Sequence, residues 1–230
     1  MKHITFYFDF ISPYAYLAFE RLPQALQGVS YQVTYKPVLF AALLGHYGQL
    51  GPAEIAPKRT WTYRQVLWQA RAQGTSLQLP ASHPFNPIGL LRLALACGHG
   101  GACNRFVAET IFRHVWCGGQ EAADAARLAA LTAQLKPARQ ASDAGVKAEL
   151  KANTDEAIAA GVFGVPSMVI ASTGTAPTGD VFWGLDALPM LRQALGGEAG
   201  FSASDWRAAE GLPVGASRNP HNEKKTKGSC

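Results

Sequence analysis

The period of apolar positions changes within the first 22 residues. Residues 4–10 form an apolar run that is too short for a helix and predicts a buried strand. Serine is a favoured N-cap and proline a favoured first helical residue, so Ser12 and Pro13 predict that a helix begins there. The next apolar positions have helical spacing and are Tyr14, Leu17, Ala18 and Leu22. We call the junction between strand and helix, residues 9–13, the elbow.

A second strand follows the predicted helix. Gly28 ends the helix, and apolar residues alternate with polar ones over residues 29–37. A strand, a helix and a strand in this order form a βαβ unit, whose strands are parallel and whose crossover is right-handed. The elbow therefore lies at the carboxyl end of the first strand, where ligands bind in open α/β sheets.

The central part of the chain has helical periodicity and no convincing strand. Residues 40–162 are rich in alanine, leucine and glutamine, and caps, glycines and prolines divide them into segments. The predicted helices are 87–97, 105–117, 121–135, 143–151 and 154–160. Strand patterns return at 165–170 and 181–183 and predict a hairpin with a loop at 172–179. A last helix is predicted at 186–195, with Asp186 as its cap.

The order of these elements is β-α-β, a helical block and β-β-α. It predicts an α/β fold, a thioredoxin-like domain with a large all-helical domain inserted in its middle. We assign residues 1–40 and 162–200 to the thioredoxin-like domain and 41–161 to the helical insertion. Residues 201–218 are then a C-terminal extension, and 219–230 are expected to be a disordered tail.

Composition restricts the functions that this chain can have. Its 230 residues are 48% apolar, enough for a buried core. The formal net charge is +5, of which the last twelve residues supply +2 through three lysines and one glutamate. No basic stripe is interleaved with aromatic residues, so we expect no nucleic-acid partner, and a locally cationic pocket for small acids instead. The absence of a long apolar stretch or leader pattern predicts a cytoplasmic protein without membrane contact.

The cysteines and histidines do not form a metal-binding pattern. The four cysteines are Cys97, Cys103, Cys117 and Cys230. They include no C-x-x-C pair, and no two histidines stand at the spacing of helical metal ligands, so we expect no metal and reduced thiols. His83 and His114 are expected to be ordinary hydrogen-bonded residues.

The elbow and a proline loop form the candidate site. The Ser12 hydroxyl lies where the first N–H groups of a helix and the positive end of its dipole converge, which favours an anion such as a thiolate; the alternative is a plain helix cap. In the thioredoxin plan the elbow meets the loop 161–166. A proline that begins a strand after this glycine-flanked loop predicts a cis Val165–Pro166 bond, with a trans proline as the alternative. A cis bond would turn the Val165 backbone toward Ser12, ready to pair with a peptide-like ligand.

Several motifs together resemble a known family. They are FYFDFISPYAYLA, HPFNP, GVFGVPS, FWGLDAL and LPVGASR, spread over residues 3–218. In this order they resemble the 2-hydroxychromene-2-carboxylate isomerases, relatives of the kappa-class glutathione transferases within the DsbA-like thioredoxin superfamily. Redox members have C-x-x-C where this chain has SPYA at residues 12–15. Disulfide exchange needs a thiolate, so the sequence argues against a dithiol oxidoreductase.

The resemblance implies glutathione as cofactor, with its thiolate held by the Ser12 hydroxyl as the catalytic group. The residues implied in glutathione binding are Ser12, Gln49, Lys58, Val165, Pro166, Leu185 and Asp186. Asp186 would receive the γ-glutamyl ammonium and Lys58 a carboxylate, whereas relatives commonly have asparagine at the position of Gln49. For a small aromatic carboxylate substrate we expect Lys36 to hold the carboxylate. Arg64 and Arg92 are alternatives, and Trp61 is expected in an aromatic wall, for which Tyr63, Trp68, Phe85 and Trp183 are further candidates.

The function implied is glutathione-dependent isomerisation of 2-hydroxychromene-2-carboxylate to trans-o-hydroxybenzylidenepyruvate, a step in the catabolism of naphthalene and similar aromatic hydrocarbons. The alternative is a kappa-like glutathione transferase or peroxidase, in which the thiolate acts on other electrophiles. A third hypothesis is a non-catalytic glutathione- or peptide-binding module. The resemblance also implies a homodimer built largely by the helical block.

Overall fold

A four-stranded sheet and eight α-helices make up the part of the chain that the structure describes. The structure is a computed structural model and describes residues 1–170, 179–197, 208–209 and 211–215. Most of the predicted loop at 172–179 and most of the predicted extension at 201–218 lie outside these residues. The tail 219–230, including Cys230, lies wholly outside them.

The described strands form one mixed sheet. They are β1 (Lys2–Phe8), β2 (Tyr31–Pro37), β3 (Ser167–Ile170) and β4 (Asp180–Trp183). Their spatial order is β2-β1-β3-β4. β1 pairs with β2 in parallel, as the βαβ pattern predicts, while β1 with β3 and β3 with β4 are antiparallel pairs. The thioredoxin-like plan predicted from the sequence is confirmed.

Most of the helices lie between β2 and β3. The helices are α1 (Pro13–Ala25), α2 (Phe40–His46), α3 (Ala56–Ala72), α4 (Ile88–Ala96), α5 (Arg105–Trp116), α6 (Ala125–Leu135), α7 (Ala144–Ala159) and α8 (Leu188–Gly196). Short 3₁₀ turns occupy Pro52–Glu54 and Leu185–Ala187. Helix α3 carries three of the predicted site residues.

The bounds of three helices after β2 differ from the sequence predictions by more than one residue. The two helices predicted at 143–151 and 154–160 are one continuous helix, α7, since no residue between them breaks the helix. Helix α6 begins at Ala125 rather than at 121, because the Asp124 side chain accepts a hydrogen bond from the backbone N–H of Arg127 and caps the helix there. The last helix begins at Leu188 after a 3₁₀ turn, so Asp186 does not cap it.

One large apolar cluster joins the sheet to the helices that follow β2. Phe8 of β1 and Phe19 of α1 both contact Phe112 of α5, with ring centroids 5.3 and 5.2 Å apart, and all three are fully buried. The same cluster contains residues of α4, α6 and α7. The opposite face of the sheet has a smaller cluster that includes Tyr7 and Val169 and is closed by α2 and α7. The division into two domains by residue number stays a prediction.

The described residues also bear on membrane and metal binding. Among them no helix combines the length and the apolar character needed to cross a bilayer. The same part of the chain holds no group of three or more histidine, cysteine or acidic side chains that could bind a metal ion. Cys97, Cys103 and Cys117 are free thiols.

Candidate functional site

Three segments of the chain meet at one end of the sheet. β3 is antiparallel to β1, and Tyr7 lies opposite Ser167, so the start of β3 lies beside the end of β1. β4 is antiparallel to β3, and Trp183 lies opposite Ser167, so the end of β4 lies there too. The elbow, the loop 161–166 and the turn 184–186 are therefore neighbours.

Ser12 is the N-cap residue of α1, as the sequence predicts. Its side-chain oxygen accepts a hydrogen bond from the backbone N–H of Ala15 (3.2 Å), and Pro13 occupies the first turn. The hydroxyl donates to the carbonyl oxygen of Val165 at 3.4 Å, a long and therefore weak bond. No acidic residue stands in the first turn of α1, so side chains of that turn do not offset the positive end of the helix dipole. The hydroxyl proton can thus turn toward an anion with little loss.

The Val165–Pro166 peptide bond is cis, which confirms the sequence prediction. Both residues are buried. The Pro166 carbonyl accepts a hydrogen bond from the backbone N–H of Gly184 (2.9 Å), and the Val165 carbonyl accepts the one from Ser12. The loop therefore connects the elbow on one side with the turn after β4 on the other.

Asp9 is a buried carboxylate at the base of the elbow that our sequence reasoning missed. One of its oxygens accepts from the Ile11 N–H (3.1 Å), and the other accepts from the Phe40 N–H (3.0 Å) at the start of α2. Burial raises the pKa of Asp9 to about 7, although both of these hydrogen bonds act in the opposite direction. A signal was present in the sequence, because Asp9 is the one charged residue within the apolar run 4–10.

The first turn of α1 also faces α3 and the turn after β4. The Tyr14 hydroxyl donates to the side-chain oxygen of Gln65 on α3 (2.5 Å). Burial raises the pKa of Tyr14, a hydrogen bond with Thr62 lowers it, and the charge of Asp186 raises it further. Asp186 is exposed in the 3₁₀ turn Leu185–Ala187, which packs against α1. Leu185 beside it is buried. An acidic group is thus present at the edge of the site.

Helix α3 carries three of the residues predicted from the sequence. They are Lys58, Trp61 and Arg64, all exposed. Lys58 stands one helical turn before Thr62 and so shares the face that reaches Tyr14. Trp61 is 63% exposed, which leaves its ring available to a ligand. Gln49 is exposed in the segment between α2 and α3, and no described contact joins it to the elbow.

Lys36, at the end of β2, is already paired. Its ammonium group contacts both carboxylate oxygens of Glu156 on α7, at 2.6 and 2.7 Å, and Tyr7 donates a hydrogen bond to the same carboxylate (2.7 Å). Partial burial raises the pKa of Glu156, but the bonds from Lys36 and Tyr7 outweigh it and hold the pKa below its usual range. A substrate carboxylate would have to displace Glu156. The pairing argues against the predicted role of Lys36 and leaves Arg64 and Arg92 as the alternatives.

An exposed aromatic pair lies beside the proline loop. The rings of Phe163 and Trp183 have centroids 5.0 Å apart, and the residues are 37% and 52% exposed. The indole covers Gly164 so closely that a Cβ atom there would lie 2.5 Å from its Nε1 atom. Trp183 is one of the wall residues proposed from the sequence, and the structure adds Phe163. Together they form an apolar wall next to Val165.

Known proteins share this sequence and this fold. The family model of the DsbA-like thioredoxin domain matches residues 3–196. A 2-hydroxychromene-2-carboxylate isomerase of Pseudomonas putida is 30% identical over 203 residues, which cover 84% of this chain and 94% of that protein. The chain belongs to the 2-hydroxychromene-2-carboxylate isomerase family. The resemblance seen in its motifs is thereby confirmed.

One further relative and one solved structure are similar to this isomerase-family chain. Glutathione S-transferase kappa 2 of Caenorhabditis elegans is 27% identical over 207 residues, covering 84% of this chain and 92% of that one. A solved structure of a 2-hydroxychromene-2-carboxylate isomerase superposes with a TM-score of 0.71 at 24% identity, covering 92% of this chain and all of that one. The structural match establishes a common fold.

The described thiols of this isomerase-family chain lie outside the candidate site. Burial raises the pKa of both Cys103, which is buried, and Cys97, which is only partly buried. Both thiols therefore favour the protonated form. None of the described cysteines lies in the elbow. A thiolate at Ser12 would therefore not come from any of these three thiols.

Proposed function

We propose that the protein is a glutathione-dependent isomerase that interconverts 2-hydroxychromene-2-carboxylate and trans-o-hydroxybenzylidenepyruvate in the catabolism of naphthalene-like hydrocarbons. The observation that carries the proposal is the Ser12 hydroxyl at the N-terminus of α1, weakly bonded to the Val165 carbonyl. Family membership supports the isomerase activity, and the hydroxyl supports a thiolate as the reactive group.

The residues at this end of the sheet fit glutathione chemically. The tripeptide has one thiol, one ammonium group and two carboxylates. The Ser12 hydroxyl at the N-terminus of α1 suits the thiolate, the exposed Asp186 suits the ammonium group, and the exposed Lys58 suits a carboxylate. The backbone at Val165 suits the peptide part, with Pro166 and Leu185 beside it. The role of Gln49 stays a prediction from the resemblance alone.

When bound, glutathione supplies a thiolate that adds reversibly to the conjugated chain of the substrate, so that a double bond becomes single and can rotate. The role of Ser12 is to keep the sulfur of bound glutathione deprotonated. A free thiol has a pKa of about 8.5. A hydrogen bond from a hydroxyl to the charged form contributes about 1.5 to 3 kcal/mol, which lowers the pKa by about one to two. The N-terminus of α1 acts in the same direction.

Other side chains of the site suit the substrate. Arg64 is an exposed cation on α3 that can hold the substrate carboxylate, since Lys36 is engaged by Glu156. The exposed rings of Trp61 and Trp183 can cover a planar aromatic substrate and exclude water from it. These groups bind and orient, and none of them changes its redox state.

The test is turnover of 2-hydroxychromene-2-carboxylate by the purified protein, followed by ultraviolet absorbance. We expect turnover with glutathione and none with S-methylglutathione, which has the same charges but no thiol to ionise. Equal rates with and without glutathione would refute the proposal.

A kappa-like glutathione transferase is the second candidate, favoured by the relative from C. elegans. Both activities need the same Ser12 site. Consumption of glutathione distinguishes them, because an isomerase regenerates it and a transferase uses one molecule for each product. A constant glutathione concentration during turnover would exclude the transferase for that substrate.

We also propose that the protein is a homodimer. Trp68 on α3 and Phe106 on α5 are largely exposed, which supports a second copy covering part of the helical surface. Light scattering at micromolar concentration tests the proposal, and a monomer mass would overturn it. The cytoplasmic location expected from the sequence stays a prediction.

A further inference from the structure

The two peptide units that precede Ser12 are each hydrogen-bonded at both ends. In the first unit, the Phe10 carbonyl accepts from the indole N–H of Trp116 (3.0 Å), and the Ile11 N–H donates to the Asp9 carboxylate (3.1 Å). Phe10 and Trp116 are fully buried. A buried peptide plane that is held at both its oxygen and its nitrogen cannot rotate without losing two hydrogen bonds, so its orientation is fixed.

The second unit, between Ile11 and Ser12, is held in the same way. Its nitrogen donates to the carbonyl oxygen of Asp9 (3.1 Å), and its oxygen accepts from Nε2 of His83 (2.7 Å). This unit sets the direction in which the chain enters Ser12 and therefore the position of the Ser12 side chain. His83 belongs to the motif HPFNP, which lies between α3 and α4. The proposed function assigns no role to this motif.

The second ring nitrogen of His83 is also engaged. Nδ1 lies 2.8 Å from the hydroxyl of Tyr63 on α3. Because a carbonyl oxygen can only accept, Nε2 carries the hydrogen, and Nδ1 accepts from the Tyr63 hydroxyl in the neutral ring. The same hydroxyl also contacts the backbone carbonyl oxygen of His83 at 3.2 Å. Burial lowers the pKa of His83 although the bond to Ile11 opposes this, and the neutral form is favoured. The ring also lies among the rings of Tyr63, Phe85 and Trp116, with centroids 5.6 to 5.9 Å away.

We propose that His83 is a positioning residue for Ser12. It holds the Ile11–Ser12 peptide so that the Ser12 hydroxyl keeps the direction needed to donate to a thiolate. Through Tyr63 it also fixes α3, which carries Lys58, relative to the elbow. The proposal rests on the proposed function in one respect, because glutathione is the ligand whose thiolate reports the effect.

The polar contacts explain why histidine stands at this place. An apolar side chain of similar size would fill the space among the rings without removing two ring nitrogens from water. Without the imidazole, the Ile11 carbonyl loses its partner at 2.7 Å, and the Ile11–Ser12 peptide is held at its nitrogen alone. The elbow would then sample more orientations while α1 and its cap remained intact.

Three variants and one control separate positioning from packing. His83→Ala removes both bonds of the imidazole but keeps the backbone carbonyl that the Tyr63 hydroxyl also contacts. His83→Gln keeps an N–H group that can reach the Ile11 carbonyl. Tyr63→Phe removes both contacts of the Tyr63 hydroxyl and leaves the bond to Ile11 in place. His114→Ala is the control. His114 is another partly buried histidine, on α5, and its Nε2 atom bonds to the backbone carbonyl oxygen of Ala122 (3.0 Å). Thermal unfolding of all four shows which variants are folded.

The first readout is the ultraviolet titration of thiolate in the glutathione complex. We expect His83→Ala to raise the pKa of bound glutathione by about one and to lower kcat at pH 7 roughly tenfold, with KM changed by less than about threefold. His83→Gln should restore at least half of the wild-type kcat, and His114→Ala should titrate like the wild type. If His83→Ala lowers the unfolding temperature but leaves the titration and kcat unchanged, His83 is only a packing residue and the proposal is wrong. If His83→Ala does not fold, the titrations of His83→Gln and Tyr63→Phe decide: a glutathione pKa raised roughly equally in both variants contradicts positioning through Ile11.

The second readout needs no glutathione. Amide hydrogen exchange at Ile11 and Ser12, measured by NMR, should be at least about tenfold faster in His83→Ala than in His83→Gln or His114→Ala. Nitrogen chemical shifts should show His83 as the neutral ring with hydrogen on Nε2. A protein that binds no glutathione but shows these exchange rates would refute the proposed function and support the positioning role. Equal exchange rates in all variants would refute the positioning role alone.

Discussion

The buried carboxylate of Asp9 should make the stability of the protein fall as pH rises through the range from 4 to 7. Asp9 is fully buried and its pKa is raised to about 7, against an ordinary value of 3.8. Between these two values the folded protein binds a proton at Asp9 that the unfolded chain does not. Stability therefore decreases with pH in this window, is unaffected by Asp9 below about pH 4, and is lowered by a constant amount above about pH 7.

The size of the effect follows from the separation of the two pKa values. A separation of about three, at about 1.4 kcal/mol for each pKa unit, gives on the order of 4 kcal/mol as an upper limit. Asp9→Asn removes this titration. The amide oxygen can keep one of the hydrogen bonds from the Ile11 and Phe40 N–H groups, but the amide NH₂ then faces the other donor. Compared with the wild type at pH 4, where Asp9 is protonated in the folded state, the variant should be less stable by about 1 to 3 kcal/mol, and its own stability should lack the fall with pH that Asp9 causes.

The assay is urea unfolding of the wild type and Asp9→Asn at several pH values from 4 to 8. We expect the wild type to be the more stable at pH 4 and its advantage to shrink or reverse by pH 8. Asp124→Asn is a control for the change of charge, because Asp124 also accepts a backbone N–H but is exposed on α6. Parallel pH profiles of wild type and Asp9→Asn would show that Asp9 does not titrate in this range, and the account of its burial would fail.

Two other substitutions test the site directly. Ser12→Ala should lower stability by about 1 kcal/mol, raise the pKa of bound glutathione by about one to two and reduce turnover at pH 7 roughly ten- to a hundredfold, with partial recovery at higher pH. Asn104→Ala is the control: it removes the equivalent cap of α5, a hydrogen bond of 2.9 Å from the Val107 N–H, and should cost similar stability but leave turnover unchanged. Coincident glutathione titrations of Ser12→Ala and wild type would rule out activation by the hydroxyl. Gly164→Ala should displace the Trp183 indole, because the added Cβ atom would lie 2.5 Å from Nε1. Tryptophan fluorescence should then change relative to the wild type but not in a Trp183→Phe background, and an unchanged spectrum would mean that the loop moves instead.

Local signals in the sequence predicted the parts of the site that depend on neighbouring residues. The N-cap at Ser12 and the glycine-flanked proline at 166 each depend on a few adjacent positions, and both have the expected conformation. The pairing of Lys36 with Glu156 joins residues 120 positions apart. No period or spacing in the sequence marks that contact.

The bonds that hold the elbow were missed for the same reason. His83 was expected to be an ordinary hydrogen-bonded residue, and it does make hydrogen bonds, but its partner Ile11 lies 72 positions away. Asp9 could be noticed as a charge in an apolar run, whereas its bond to Phe40 depends on where α2 packs. Sequence patterns locate secondary structure well, and the partners of buried polar groups are decided by tertiary packing.

The position of β1 in the middle of the sheet has a consequence for synthesis of the chain. One neighbour of β1 is β2, which follows within about thirty residues, but on the other side Thr5 pairs with Val169, 164 positions later. At about 5 to 20 residues per second, the ribosome needs roughly 8 to 33 s to make that second partner. For this time an apolar strand has one edge without hydrogen-bond partners, the kind of edge on which other chains aggregate. During the interval between the synthesis of the two halves of the sheet, the open edge of β1 therefore exposes the nascent chain to misassembly.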